Sequence, residues 1–288
     1  MATINASELS IQFSTDRKPE EVGFLTVLRS SLIKDIQIQM RYKQNFVSQF
    51  IRTMLFILTF YLFSLSFAFD DLPDQSTQTV FLFYISALIL MMYDGVAMWS
   101  PYNSVRRDLY NGTLESIYQS PASRAAYYLG GIMAQSIYSS VFVIPLLLTI
   151  ILVFQPSMIT LGIVFITIAI ALCGLMAMGI LIALSAILWK NMGAFVNILG
   201  MVFQFATGTI IPFASLPVWA QYVGYFLPIT WGLDLIRYYL FGSVWTTIYT
   251  VPVMWVILIG QVVLFFLVAK FLLVRVEKYS KKQGLHLL

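Results

Sequence analysis

Residues 127–154 and 158–188 of this chain contain no Asp, Glu, Lys or Arg and are predominantly apolar. No other feature narrows the possible folds as far. A run of about twenty apolar residues matches the thickness of a bilayer's hydrocarbon core, and in lipid the backbone must satisfy its own hydrogen bonds, which a helix does. The pattern repeats. Further runs occupy about 46–68, 79–100, 193–211 and 250–274, and together they predict an all-α integral membrane protein with six transmembrane helices over 46–274. Only 10% of the 288 residues are charged, whereas a soluble domain carries about 25%. The single cysteine, Cys173, excludes an internal disulfide framework.

The segments around these runs set the orientation. Residues 1–18 form a polar tail without the apolar centre of a signal peptide. Residues 19–45 predict an amphipathic interfacial helix, started by Pro19, Glu20 and Glu21. Leu25, Leu28, Leu32, Ile36 and Met40 recur there at helical spacing, flanked by Arg29, Lys34, Arg41 and Lys43. A helix of a small soluble subdomain would read similarly, but nothing nearby supplies it with a core. Arg52, near the start of the first span, is expected to snorkel inward. All 17 Lys and Arg except Arg237 fall on one side, including the basic tail at 275–288, so both termini are expected in the cytoplasm. Asp70, Asp71 and Asp74 around Pro73 read as a solvated external turn more readily than as a calcium site.

Two connections are not plain loops. In 101–126, Gly112 can take the backbone angles that end a helix, Thr113 can cap a new one, and Glu115 suits its first turn. Leu114, Ile117 and Tyr118 then share one face, and Pro121 stops the helix by restricting Ser120. Such a short apolar face wants a partner. Between the last two spans, residues 212–249 hold too many prolines for a span, yet Val218, Trp219, Tyr222 and Phe226 are too apolar for water. A re-entrant external helical hairpin before the last span reconciles the two. Asp234 and Arg237, at i and i+3, are expected to form a local ion pair there.

The chemistry available is limited. The sequence has one histidine, His286 in the tail, and no GxSxG or GxxxxGK[ST] motif, so the chain is not expected to be an enzyme or to hydrolyse ATP by itself. Two spans carry polar residues that lipid anchoring would not select. Phe83, Leu90 and Asp94 share a face of the second, and Asn197, Met201 and Gln204 share a face of the fifth. An intramembrane carboxylate marks a functional position, or a hydrogen bond to a neighbouring helix, or a wet depth near the inner surface. For Asp94 these stay open, and an ATP-independent channel or carrier using it is the alternative to an ATP-driven transporter.

Gly112-Thr113-Leu114-Glu115, followed by Ser120-Pro121-Ala122-Ser123-Arg124, resembles the cytoplasmic coupling loop of ABC type-2 transporter permeases. Gly208 to Trp219, continuing through Leu227-Pro228-Ile229-Thr230-Trp231 to Asp234 and Arg237, resembles the external turn of the same family, with Pro212, Pro217, Trp219 and Pro228 as its marks. The resemblance implies a permease subunit of an ATP-binding cassette exporter in the cell membrane, moving an amphiphilic drug, lipid, glycan or peptide. It implies a second permease copy and two separate ATP-binding subunits, with ATP and Mg held there and no cofactor on this chain. Gly112 to Pro121 would be the ATPase-coupling loop, with Arg29 and Arg41 on the interfacial helix in reach of Glu115. The second and fifth spans, through Phe83, Leu90, Asp94, Asn197, Met201 and Gln204, would line the path. Arg106-Arg107-Asp108 stands where an acid–basic–acid run is commoner in that family.

Overall fold

The computed structural model describes residues 23–66, 72, 76–113, 116–117, 120, 122–188 and 192–283, except for the side chains of 94–98, 187–188, 243 and 276–283. The tail at 1–18, the helix start at Pro19, Glu20 and Glu21, the acidic turn around Pro73 and His286 lie outside the described residues.

All regular structure among the described residues is helical: α1 (Phe24–Arg41), α2 (Lys43–Ser66), α3 (Thr77–Tyr110), α4 (Arg124–Phe154), α5 (Met158–Leu188), α6 (Gly193–Ala206), α7 (Val218–Tyr225), α8 (Pro228–Phe241) and α9 (Val251–Gln283). Among the described residues, four stretches are long and apolar enough to cross a membrane: Lys43–Ser66, Arg124–Phe154, Met158–Ala186 and Val251–Arg275. The predicted second and fifth spans correspond to α3 and α6, whose apolar stretches are shorter, Thr77–Tyr93 and Gly193–Ala206. Helix α3 continues past Tyr93 through Ser100, Asn103, Ser104 and Arg107, and α6, at 14 residues, carries Asn197 and Gln204.

Local signals account for the helix ends. Ser76 caps α3 by accepting from the Thr79 N–H at 3.3 Å, and Ser123 caps α4 by accepting from Ala126 at 3.4 Å. At the end of α3, Gly112 has φ +66, and the Gly112 and Thr113 N–H groups bond back to the carbonyls of Leu109 and Asp108. That is a Schellman closure, and it needs the left-handed residue glycine supplies.

Helix α3 is the centre of the bundle and packs against α2, α4, α5, α6 and α8. Its outer half is buried on every side, with Phe83, Ile85, Leu88, Ile89 and Leu90 all fully enclosed. Small residues on α5 admit α8 closely. A Cβ on Gly174 would meet Pro228 at 2.9 Å, and Ala171 lies 3.0 Å from where a Cβ on Gly232 would stand.

The connection at 212–249 divides into two unlike helices. In α7, Val218, Trp219 and Tyr222 are exposed, whereas residues 228–237 of α8 are all buried. Here the expectation of a local Asp234–Arg237 ion pair is corrected: each side chain is buried on other partners. Asp234 accepts from Trp245 Nε1 at 2.7 Å and from the Ile248 N–H at 2.9 Å. Arg237 donates to the carbonyls of Gly208 at 2.8 Å and Phe83 at 3.3 Å, and its guanidinium lies 3.6 Å from the centre of the Phe83 ring. Both side chains are core polar groups held by partners of their own, although Arg237 Nε is buried with no hydrogen-bond partner among the described residues.

Candidate functional site

The middle of α1, the C-terminal end of α3 and the start of α4 meet in a polar junction. Gly130 and Gly131, about two turns into α4, allow the contact: a Cβ on Gly130 would lie 2.7 Å from both the Leu28 carbonyl oxygen and Ser31 Cβ, and one on Gly131 would lie 2.8 Å from Asp35 Oδ2. With backbones that close, Ser31 Oγ donates to the Tyr127 carbonyl at 2.7 Å. Lys34 Nζ donates to the Tyr127 hydroxyl at 2.9 Å, and that hydroxyl donates to Asp108 Oδ2 at 2.9 Å. Asp35 Oδ1 receives Arg107 Nη2 at 3.4 Å and lies 3.7 Å from Lys34 Nζ. Burial pushes the Asp108 carboxyl above its ordinary value, while the Tyr127 hydrogen bond, Lys34 and Arg107 pull the other way.

Asp108 also belongs to the turn that follows α3. Its backbone carbonyl accepts both the N–H and the hydroxyl of Thr113, at 3.0 and 3.3 Å. Beyond Thr113 the chain turns helically once more, with Ile117 N–H bonded to the Thr113 carbonyl and Ser120 N–H to that of Ser116, both at 3.1 Å. Ile117 is half-buried against the inner core cluster that includes Tyr102, Val105 and Tyr128. The turn is thus connected to α1 and α4 through Asp108 and Tyr127.

Above the junction lies a cavity of about 520 Å³. Its inner end is lined by Asp35 and Gln39 of α1 and by Asn103, Ser104 and Arg107 of α3. Gln49, Arg52 and Phe56 of α2 face it, as do Gly131, Gln135 and Ser139 of α4. Met91, Met92 and Gln204 line it deeper in. From Arg107 to Met91 is sixteen residues of α3, or about 24 Å at 1.5 Å per residue. The cavity thus spans much of a hydrocarbon core about 30 Å thick. Amide and hydroxyl side chains are costly in lipid, so a wall carrying them suits a water-accessible space.

Residues 27–241, three quarters of the chain, match the ABC-2 type transporter domain. The chain belongs to the ABC-2 type transporter family. No curated protein matches it. The ABC-2 chain is thereby a membrane permease component of an ABC transporter, a multi-pass protein that associates with an ATP-binding cassette subunit; such permeases are not generally catalytic themselves.

The structure places the anticipated residues of this ABC-2 permease unevenly. In the coupling loop, Gly112 and Thr113 close α3, Ile117 turns toward the protein's own core, and Ser120 Oγ accepts from the Ala122 N–H at 3.2 Å. Leu114, Glu115, Tyr118 and Pro121 lie outside the described residues. Arg29 and Arg41 are exposed on α1, and the bonds that tie α1 down run through Ser31, Lys34 and Asp35. Of the path residues, Gln204 lines the cavity, Asn197 and Met201 lie exposed on α6, and Phe83 and Leu90 are enclosed in the core. The Asp94 side chain lies outside the described ones. In the external connection, Pro212 and Pro228 are buried and Pro217 and Trp219 exposed.

Sequence reasoning missed Gln135 and Ser139, read Arg52 as an anchor to the headgroups, and gave no role to Gly130 and Gly131. The adjacent glycines near the start of a span were the available signal, since small residues in a transmembrane helix mark close helix approach.

Proposed function

We propose that this permease is the membrane-spanning part of an ATP-driven exporter, with six spans, both termini cytoplasmic and a re-entrant external hairpin at 212–249. Two copies act with two ATP-binding subunits, which hold ATP and Mg, and move an amphiphile outward. The observation that carries this reading is the cavity, because Arg107 and Asp35 belong both to its wall and to the junction above the coupling turn. Closure of the ATP-binding subunits would push the turn, the turn would shift Asp108 and Tyr127, and the cavity's inner wall would move with them. A site loaded at its charged cytoplasmic end suits export.

Purification with native partners, followed by reconstitution in vesicles, tests the proposal. The expected result is a co-purifying ATPase whose hydrolysis is required for efflux of a fluorescent amphiphile. Conductance or uptake that proceeds with no ATP and no attached ATPase would favour the channel or carrier reading and reject this one.

A further inference from the structure

We propose that the cavity selects amphiphiles whose polar head carries an oxyanion beside hydroxyl groups, such as a polyol phosphate, and that Arg52 reads the oxyanion. The inference rests on the reading of the cavity as a cargo site. Two positive side chains line the described wall. Arg107 is committed to Asp35 at 3.4 Å, whereas Arg52 donates to Gln49 Oε1, a neutral group one turn earlier on the same helix. Guanidinium carries five N–H donors in a planar fork matched to phosphate and carboxylate. Among the described residues, Gln49 is the hydrogen-bond partner of Arg52, and the guanidinium lines the cavity.

The rest of the wall names the remainder of the ligand. Gln39 Oε1 is buried without a hydrogen-bond partner among the described residues, an acceptor waiting for a hydroxyl or amide donor. Gln135 and Asn103 add amides that can donate and accept along a hydroxylated head. Phe56, Met91 and Met92 give the deeper wall an apolar, adaptable surface for the chain that follows the head. A volume of about 520 Å³ falls among those of small-molecule sites, roughly 300–1,000 Å³. Charge-assisted, two-pronged Arg–phosphate bonds are the strong, directional ones, so the discrimination should concentrate on Arg52.

Binding can be read without the ATP-binding partner. Trp99 lines the cavity, so its emission reports occupancy, and a Trp99→Phe variant supplies the background from the other tryptophans. The full-length permease in a neutral maltoside detergent would be titrated with dihexanoylphosphatidylglycerol, with dihexanoylphosphatidylcholine, and with glycerol phosphate, which is the anionic head without chains. The expected result is phosphatidylglycerol binding at least about tenfold tighter than phosphatidylcholine. Arg52→Gln should abolish that preference and Arg52→Lys retain part of it, with both variants monodisperse. Glycerol phosphate binding as tightly as the lipid, with the same Arg52 dependence, would keep Arg52's role but overturn the amphiphile part in favour of a free phosphate compound. Equal binding of the two lipids by the wild type, or a preference surviving in Arg52→Gln, would overturn the proposal outright. Failure of ATP-coupled efflux alongside an intact, Arg52-dependent preference would count against the exporter and leave the head-group site standing.

Discussion

At Gly130 the contact between α1 and α4 depends on one missing carbon. The nearest atoms to a Cβ there are the Leu28 carbonyl oxygen and the Ser31 Cβ, and a backbone oxygen at 2.7 Å cannot swing aside as a side-chain tip can. Gly130→Ala should therefore lift α1 off α4 and cost about 1–3 kcal/mol, the range for overpacking a tight contact. Gly162→Ala is the matched control, because nothing lies within 4 Å of its Cβ and alanine is the better helix former by about 1 kcal/mol. Thermal unfolding in detergent should show a lower midpoint for Gly130→Ala and an equal or higher one for Gly162→Ala; the reverse order would mean that the two helices are not held together here. Arg237 offers a second case. Arg237→Met removes the donor to the Gly208 carbonyl, and an abandoned buried acceptor costs about 1–3 kcal/mol. Arg237→Lys should recover only part of the lost midpoint, since one ammonium cannot reproduce a fork that reaches Gly208 and Phe83 while stacking on the Phe83 ring.

At the scale of elements, the coupling turn faces two ways. Ile117 packs on the permease's own inner core cluster, and Ser116 beside it is exposed. Ile117→Asp should therefore lower the stability of the permease itself, because it sets an unpaired charge against Tyr102 and Val105. Ser116→Arg should leave the thermal midpoint within about 0.5 kcal/mol of wild type, as surface changes do, and yet reduce co-purification of the ATP-binding subunit. Full co-purification and coupling in Ser116→Arg would place the partner's contact elsewhere. The elements themselves were legible in sequence wherever one physical rule dominated. Gly112 announced the end of α3, and the apolar runs announced α2, α4, α5 and α9, because chain length and glycine's freedom act locally. The docking face of α1 was not legible. Hydropathy selects Leu25 and Met40, which are exposed, while Ser31 and Asp35 are buried because Gly130 and Gly131 lie opposite them. The partners of Arg237 stand 29 and 154 residues away, so an i, i+3 rule could see only Asp234. The cavity was half legible: Gln204 stood out as polar within a span, but Gln135, Ser139 and Arg52 acquire meaning only once five helices are assembled around one space.

For the whole molecule, orientation decides whether the junction can meet an ATP-binding subunit at all. Helix α4 has 31 residues and so is about 46 Å long, enough to carry its ends beyond both surfaces of a core about 30 Å thick. The junction of Lys34, Asp35, Arg107, Asp108 and Tyr127 sits near its first residues, and Ser157 follows its last. The proposed orientation sets the first end in the cytoplasm, supported by the clustering of Lys and Arg outside Arg237, because positively charged loops are retained there during insertion. Ser157 is exposed just after α4, and Asn111 is exposed at the end of α3. In a Cys173→Ser background, Ser157→Cys should react with a membrane-impermeant maleimide on intact cells, whereas Asn111→Cys should react only after permeabilisation. Labelling of both positions on intact cells would show that 124–154 does not cross the membrane. Labelling of Asn111→Cys alone would invert the protein and place the junction and the coupling turn on the outer surface, where no ATP is hydrolysed, and the proposed transmission from turn to cavity would have no source of energy.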